Sequence, residues 1–398
     1  MDTMVERAVS SVDPFSHAFL ENPYPHHEAM REAGPVVWLE HYGIWAMARH
    51  QEVRDALTDW QTYCSSAGVG LSDFRKETPW RPPSIILEAD PPLHTRTRAV
   101  LTRILSPAAI NVLRETLTRE AEALVDRLLE KREFDGVADL AEAYPLKVFP
   151  DSVGISKEGR ENLLPYGGMV FNGFGPRNDL FEKAMANAGA VRDWIMSKCS
   201  REALAPDGLG MQIFHAVDSG ELTELEAGML VRSFLSAGID TTVYGLGNAL
   251  WCFAKHPEQW KILRENPSLI RLAFEEVLRF EAPVQTFFRT TTRDVEVGGV
   301  RLGEGQKVLI FMAAANRDPR RWERPDEFDV KRRATGHMTF GTGIHGCVGQ
   351  AVARLEAEAV FGALARRVAR FEMTAEPTRR LNNTLRGFDT LPLRMIPA

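Results

Sequence analysis

The chain has 398 residues, 44% of them hydrophobic and 26% charged, and a net charge of −6. This is an ordinary globular composition with enough apolar material for a large core, and the acidic balance gives no whole-chain nucleic-acid signature. The first twenty residues include Asp2, Glu6, Arg7 and Asp13 and no apolar run like a signal peptide or membrane anchor, so a cytoplasmic protein with no membrane segment is expected.

Residues 14–34 carry three prolines and then a short helix-like stretch. Two apolar runs, 36–39 and 44–47, flank His41-Tyr42-Gly43 and predict a β-hairpin. From about 93 to 285 the pattern is dominantly helical, with apolar residues at helical spacing over 107–131. A long apolar helix is predicted over 223–256, ended by His256-Pro257, and another over about 267–280, ended before Pro283. Residues 289–312 alternate and contain glycine turns, which predicts short strands. A last helix is predicted over 348–369, with strand and loop in the tail. Length alone allows two or three domains. No repeat, low-complexity tract or composition break marks a linker, and a mostly helical single domain over 1–398 with small sheets fits best.

The four cysteines, Cys64, Cys199, Cys252 and Cys347, are too scattered for a zinc site or a disulfide scaffold, and most should be free thiols in a reducing cytosol. Cys347 has unusual neighbours. Residues 340–349 read Phe-Gly-Thr-Gly-Ile-His-Gly-Cys-Val-Gly, and four glycines in ten residues free the backbone to approach a flat ligand. The cysteine precedes a predicted helix, where N–H groups and the helix N-terminus favour a thiolate. Such a thiolate is a good axial ligand for haem iron.

Over nearly its whole length the sequence resembles the cytochrome P-450 family. Phe340, Gly341, Gly343, His345, Cys347 and Gly349 match the family's haem-binding loop. Glu276 and Arg279 match its Glu-x-x-Arg pair, and 313–319 with 325–332 match the segment leading to the loop. Ala237-Gly238-Ile239-Asp240-Thr241-Thr242 matches its oxygen-activation motif. The resemblance implies one mainly α domain with small β-sheets, holding haem b between a long central helix and the cysteine loop. Cys347 would ligate the iron. His94 and Arg98, four apart on one helix face, with Arg289 and His345 would bind the haem propionates. Phe340 and Gly341 would line the haem, and Glu276, Arg279 and Arg332 would form a buried structural triad. Asp240 and Thr241 would relay protons, Thr241 holding dioxygen and its waters.

Arg232 precedes Asp240 by eight residues, so at 3.6 residues per turn 232, 236 and 240 should form one stripe of the predicted helix beside Ser233, Ala237 and Thr241. A cation beside two hydroxyls in an apolar helix suggests a carboxylate site; the alternative is that Arg232 reaches the surface or pairs with Glu224 or Glu226. Arg81 and Ser84 lie on a proline-stiffened loop that covers the distal pocket in this family, and Phe174 and Phe287 fall in regions that line family pockets. Together Arg81, Ser84, Phe174, Arg232, Ser233, Ser236 and Phe287 resemble the pocket of bacterial enzymes that O-demethylate para-methoxybenzoate. That likeness implies a monooxygenase of small aromatic carboxylates, using O2 as co-substrate and fed by a soluble iron–sulfur ferredoxin and its flavin reductase. Arg96 and Arg103 are candidates for the ferredoxin's docking face. A monooxygenase of another small hydrophobic substrate, an H2O2-driven peroxygenase and a haem sensor without turnover are the competing readings, and the last two do not account for the Asp240-Thr241 pair.

Overall fold

The computed structural model describes residues 7–398; Asp2 and Glu6, part of the N-terminal charge pattern, lie outside the described residues. Helices dominate, and the largest sheet has six strands in the order Ala8–Ser10, Val37–Leu39, Ile44–Met47, Lys307–Phe311, Thr286–Thr291, Tyr63–Cys64. The expected hairpin forms there, with Trp38 opposite Trp45 and Gly43 at φ +60° in the turn. Ile44–Met47 then pairs in parallel with Lys307–Phe311, which is antiparallel to Thr286–Thr291. This pairing joins the N-terminal hairpin to strands far later in the chain, and Phe287 and Arg289 lie on one strand.

A hydrophobic cluster extending from Val36 to Met395 fills the helical body. A smaller one, built on Phe15, Phe19, Phe288 and Phe311, seals the outer face of the sheet against the N-terminal segment. The predicted 107–131 helix is divided into Pro107–Ile110 and Arg114–Lys131 by a tight turn, and the last helix covers Gln350–Arg367. Among the described residues no helix is long and apolar enough to cross a membrane. All four cysteines are unpaired.

The predicted continuous helix over 223–256 is two helices, Glu224–Ala237 and Asp240–Lys255. The first opens on a capping box between Thr223 and Glu226. The break at Gly238-Ile239 has a local cause. The Phe149 ring occupies the place where a side chain on residue 238 would stand, which only glycine permits. The Thr241 hydroxyl also donates to the Ala237 carbonyl at 2.9 Å, using an acceptor that a continuous helix would give to a backbone N–H.

Candidate active site

The loop around Cys347 is shaped by its own backbone. Gly341 and Gly343 have φ of +65° and +67°, where other residues are strained. At Gly343 a Cβ would also lie 2.8 Å from the Leu57 carbonyl oxygen, so glycine lets the loop pass the end of the His50–Thr58 helix. Gly346 and Gly349 do not need positive φ. The Cys347 N–H donates to Phe340 O at 2.7 Å and closes the loop.

Beneath it, Glu276 and Arg279 are fully buried and pair through two bonds of 2.7 and 2.8 Å. Arg332 adds a third at 3.1 Å to the same carboxylate, as the family likeness implied. Arg279 also donates to the carbonyls of Asn316, Pro325 and Glu327. The Asn316 side chain in turn accepts from Met338 N at 2.6 Å and donates to the Thr339 hydroxyl at 2.9 Å. The pair thus holds the strand of chain that enters the cysteine loop.

One cavity connects this loop to the broken helix. Cys347, Phe340, Gly341, His345, Arg98 and Arg289 line one end, and Ala237, Gly238, Thr241 and Thr242 form the facing wall. His94 lies just behind His345, ring centroids 4.4 Å apart; the Nε2 of His94 is buried without a hydrogen-bond partner, and that of His345 faces the Asp90 carboxylate at 3.9 Å. Burial, with the neighbouring imidazole and Arg98, depresses His94 to about 4. Arg98 donates to Gly346 O at 2.6 Å, and Arg289, wholly buried, donates only to Phe288 O among the described residues. Two imidazoles and two guanidinium groups with unused N–H donors therefore edge a slot floored by a cysteine sulfur. That donor set fits haem, whose two carboxylates need such partners and whose iron takes a thiolate. Burial opposes the Cys347 thiolate, while the Gly349 and Gln350 N–H groups and Arg98 favour it, as expected from its place at the helix N-terminus; a bound cation deprotonates such a thiol.

Thr241 faces the cavity, but Asp240 does not. The stripe 232–236–240 assumed an unbroken helix, and the break turns Asp240 the other way. Its carboxyl packs against Gly167 of the Leu163–Asn172 helix, with Oδ2 buried and unpartnered. Burial raises it well above the ordinary carboxyl range, against the pull of Arg380. Arg380 pairs with Glu142 and Asp389 at 2.9 and 3.0 Å and is partly exposed.

The same cavity is lined by Arg81, Ser84, Arg232, Ser233 and Ser236, and by Phe174 and Phe287. The structure brings together all seven residues singled out in the sequence. Arg232 neither reaches the surface nor pairs with Glu224 or Glu226, which are taken by Arg201 and Arg96. It donates to the Pro82 and Pro83 carbonyls at 2.9 and 3.3 Å. The Ser84 and Ser233 hydroxyls are 3.2 Å apart, and Phe174 stacks edge-on to Phe287 at 5.6 Å. Sequence reasoning missed Phe171, edge-on to Phe174 at 5.9 Å, and Glu88. The latter is buried and paired with Arg81 by bonds of 2.8 and 3.1 Å. Its signal was present: an acid seven residues after Arg81, one helical turn beyond Ser84.

The comparisons with known proteins agree with this site. The model of the family "Cytochrome P450" matches residues 207–395. The chain is 55% identical to cytochrome p450 CYP199A2 of Rhodopseudomonas palustris, covering 97% of this chain and 94% of the relative. It is 31% identical to vitamin D(3) 25-hydroxylase of Pseudonocardia autotrophica, covering 97% and 96%. Among solved structures, cytochrome P450 CREJ in complex with (4-ethylphenyl) dihydrogen phosphate matches with a TM-score of 0.88 at 27% identity, over 96% of this chain and 99% of that one. The chain belongs to the cytochrome P450 family. It is accordingly a monooxygenase that uses haem b and O2.

Proposed function

We propose that this monooxygenase oxidises para-substituted benzoic acids, O-demethylating substrates such as 4-methoxybenzoate. The observation that carries this reading is one cavity lined by a cluster of cations and hydroxyls, by phenylalanines and by Cys347. Arg81, Arg232 and the three serines receive the carboxylate, Phe174 and Phe287 hold the ring, and the para substituent is directed toward the sulfur end. Cys347 would hold haem by its sulfur and His94, Arg98, Arg289 and His345 would hold its propionates, and the bound group would supply the activation of O2. The Thr241 hydroxyl, which lines the cavity, would hold the waters that carry protons there. Asp240, kept protonated by burial, passes protons in from the side of Arg380 and Glu142. One oxygen atom of O2 enters a methyl C–H bond and the other leaves as water, with two electrons and two protons consumed. The resulting hemiacetal collapses to a phenol and formaldehyde.

The electrons come from a ferredoxin and its flavin reductase. Arg96 and Arg103 do not suit the docking role first given to them, because Glu226 and Glu221 neutralise them. A groove behind the cysteine loop suits it better. It joins Arg54 and Arg321, which make no ion pair among the described residues, to Phe340 and Gly341. The cytoplasm, where four unpaired cysteines persist, is the matching compartment.

The test compares 4-methoxybenzoate with its methyl ester by the shift of the haem Soret band. Losing the anion leaves one buried positive charge of the Arg81, Glu88 and Arg232 cluster uncompensated, which costs about 2–5 kcal/mol, so the ester should bind at least about tenfold more weakly. Equal affinities would remove the carboxylate from this reading.

A further inference from the structure

Glu88 stands outside the cavity wall, yet it touches two of the groups that form the cationic cluster. Its carboxylate accepts both Arg81 Nη1 at 2.8 Å and Nη2 at 3.1 Å, and also the Ser84 N–H at 2.7 Å. Its own N–H donates back to Ser84 O at 2.9 Å, which closes the turn. The pair is buried on both sides, with Arg81 8% and Glu88 1% exposed in their side chains. Arg232 is also buried and makes no ion pair among the described residues; its donors meet only neutral carbonyls. The cluster therefore holds two guanidinium charges and one carboxylate, a net of one positive charge.

We propose that Glu88 sets the charge of the anion this enzyme accepts, by cancelling one of the two arginines so that a monoanion is matched and a dianion is rejected. The inference rests on the proposed carboxylate reading of the cavity and adds a selectivity to it. In a dry site a charge mismatch is not screened by water, so an uncompensated second negative charge is expensive. A benzoate brings the cluster to neutrality. A ligand with two negative charges leaves it at minus one, beside the Glu88 carboxylate. Glu88 is a positioning residue toward Arg81 and Ser84, and its charge acts on the ligand through Arg81. A lone pair of arginines would have no such preference.

The test uses two ligands of one shape that differ by one charge: 4-methoxybenzenesulfonate, and 4-methoxyphenylphosphonate above its second ionisation. Affinities are read from the Soret shift of the haem-loaded protein, with 4-methoxybenzoate and its methyl ester measured alongside. The wild type should favour the sulfonate. Glu88→Gln keeps an acceptor for the Ser84 N–H and raises the net charge to two, so the phosphonate should gain at least about tenfold relative to the sulfonate. Glu88→Asp keeps the charge and should keep the wild-type ratio. Arg81→Gln lowers the net charge to zero and should shift the ratio further toward the sulfonate. The double variant Arg81→Gln, Glu88→Gln restores a net charge of one and should return the ratio to wild type, even with both affinities reduced. This last pair of variants decides the matter if Glu88→Gln does not fold. A ratio that stays constant while both affinities fall would overturn the proposal and leave Glu88 a purely structural residue. If the wild type binds the methyl ester as well as the acid, the carboxylate reading itself fails, which is a separate outcome.

Discussion

The Asp240 carboxyl occupies the space that a side chain on Gly167 would fill. Any Cβ at 167 overlaps both carboxyl oxygens, so the position of this acid depends on a glycine in another helix. Gly167→Ala should displace Asp240 and slow proton delivery. General acid catalysis contributes roughly 10²–10⁴-fold, so product formation should fall by at least about tenfold while the substrate-induced Soret shift survives. Gly168→Ala is the control, because a Cβ there meets nothing within 4 Å. Equal rates for the two alanine variants would mean that the Asp240 position is immaterial to turnover.

Thr241 has two tasks that one substitution separates. Its hydroxyl holds the Ala237 carbonyl at 2.9 Å, and it lines the same cavity as Cys347. Thr241→Ala removes a hydrogen bond with a net value of about 1 kcal/mol, so the fold should persist. Substrate should still bind, but reducing equivalents should appear as H2O2 in place of product. Thr241→Ser keeps the hydroxyl and should keep most of the coupling. Unchanged product yield per NADH in the alanine variant would end the relay assignment, provided the substrate has no hydroxyl of its own to relay protons.

Much of this architecture was legible in the sequence, and the exceptions have physical reasons. The cysteine loop was visible because its glycines are local and Gly341 and Gly343 truly need their backbone freedom. The Glu276–Arg279 pair was visible only through the family likeness, since i,i+3 spacing is common and burial is not a local property. The helix break at Gly238 was not legible, because it depends on Phe149 arriving from a distant segment. The direction of Asp240 was lost with it. Glu88 was overlooked because its importance lies in the turn that folds it back onto Arg81.

Arg279 uses its full fork of donors. It meets Glu276 twice and three backbone carbonyls, all with no solvent exposure. Lysine offers three donors from a single point and cannot reproduce this set. Arg279→Lys should therefore cost about 3–5 kcal/mol, the penalty for breaking a buried pair from one side. Denaturant unfolding reads the stability, and the haem content of the purified protein reads the integrity of the loop. A variant with wild-type stability and haem content would show that Arg279 is dispensable to the loop it underlies.

Glu356 lies two turns into the Gln350–Arg367 helix that follows Cys347, fully buried, with neither carboxyl oxygen in good hydrogen-bonding geometry. Burial raises it from an ordinary 4.5 to about 8, and the nearby Thr242 hydroxyl opposes this only weakly. The folded protein therefore keeps a proton on Glu356 between about pH 4.5 and 8, where the unfolded chain has lost it. Stability from this group is fully present below the unfolded value and is lost as pH rises toward the folded one. Each unit is worth about 1.4 kcal/mol, so the full loss is roughly 5 kcal/mol at most. Glu356→Gln mimics the neutral acid and should remove that slope. Unfolding midpoints at several pH values between 5 and 8 test this as a difference between wild type and variant, which cancels the groups they share. The wild type should lose stability relative to the variant as pH rises. Parallel profiles would mean that Glu356 is not protonated in the folded state, and a partner for its charge would then have to be found next to Thr242.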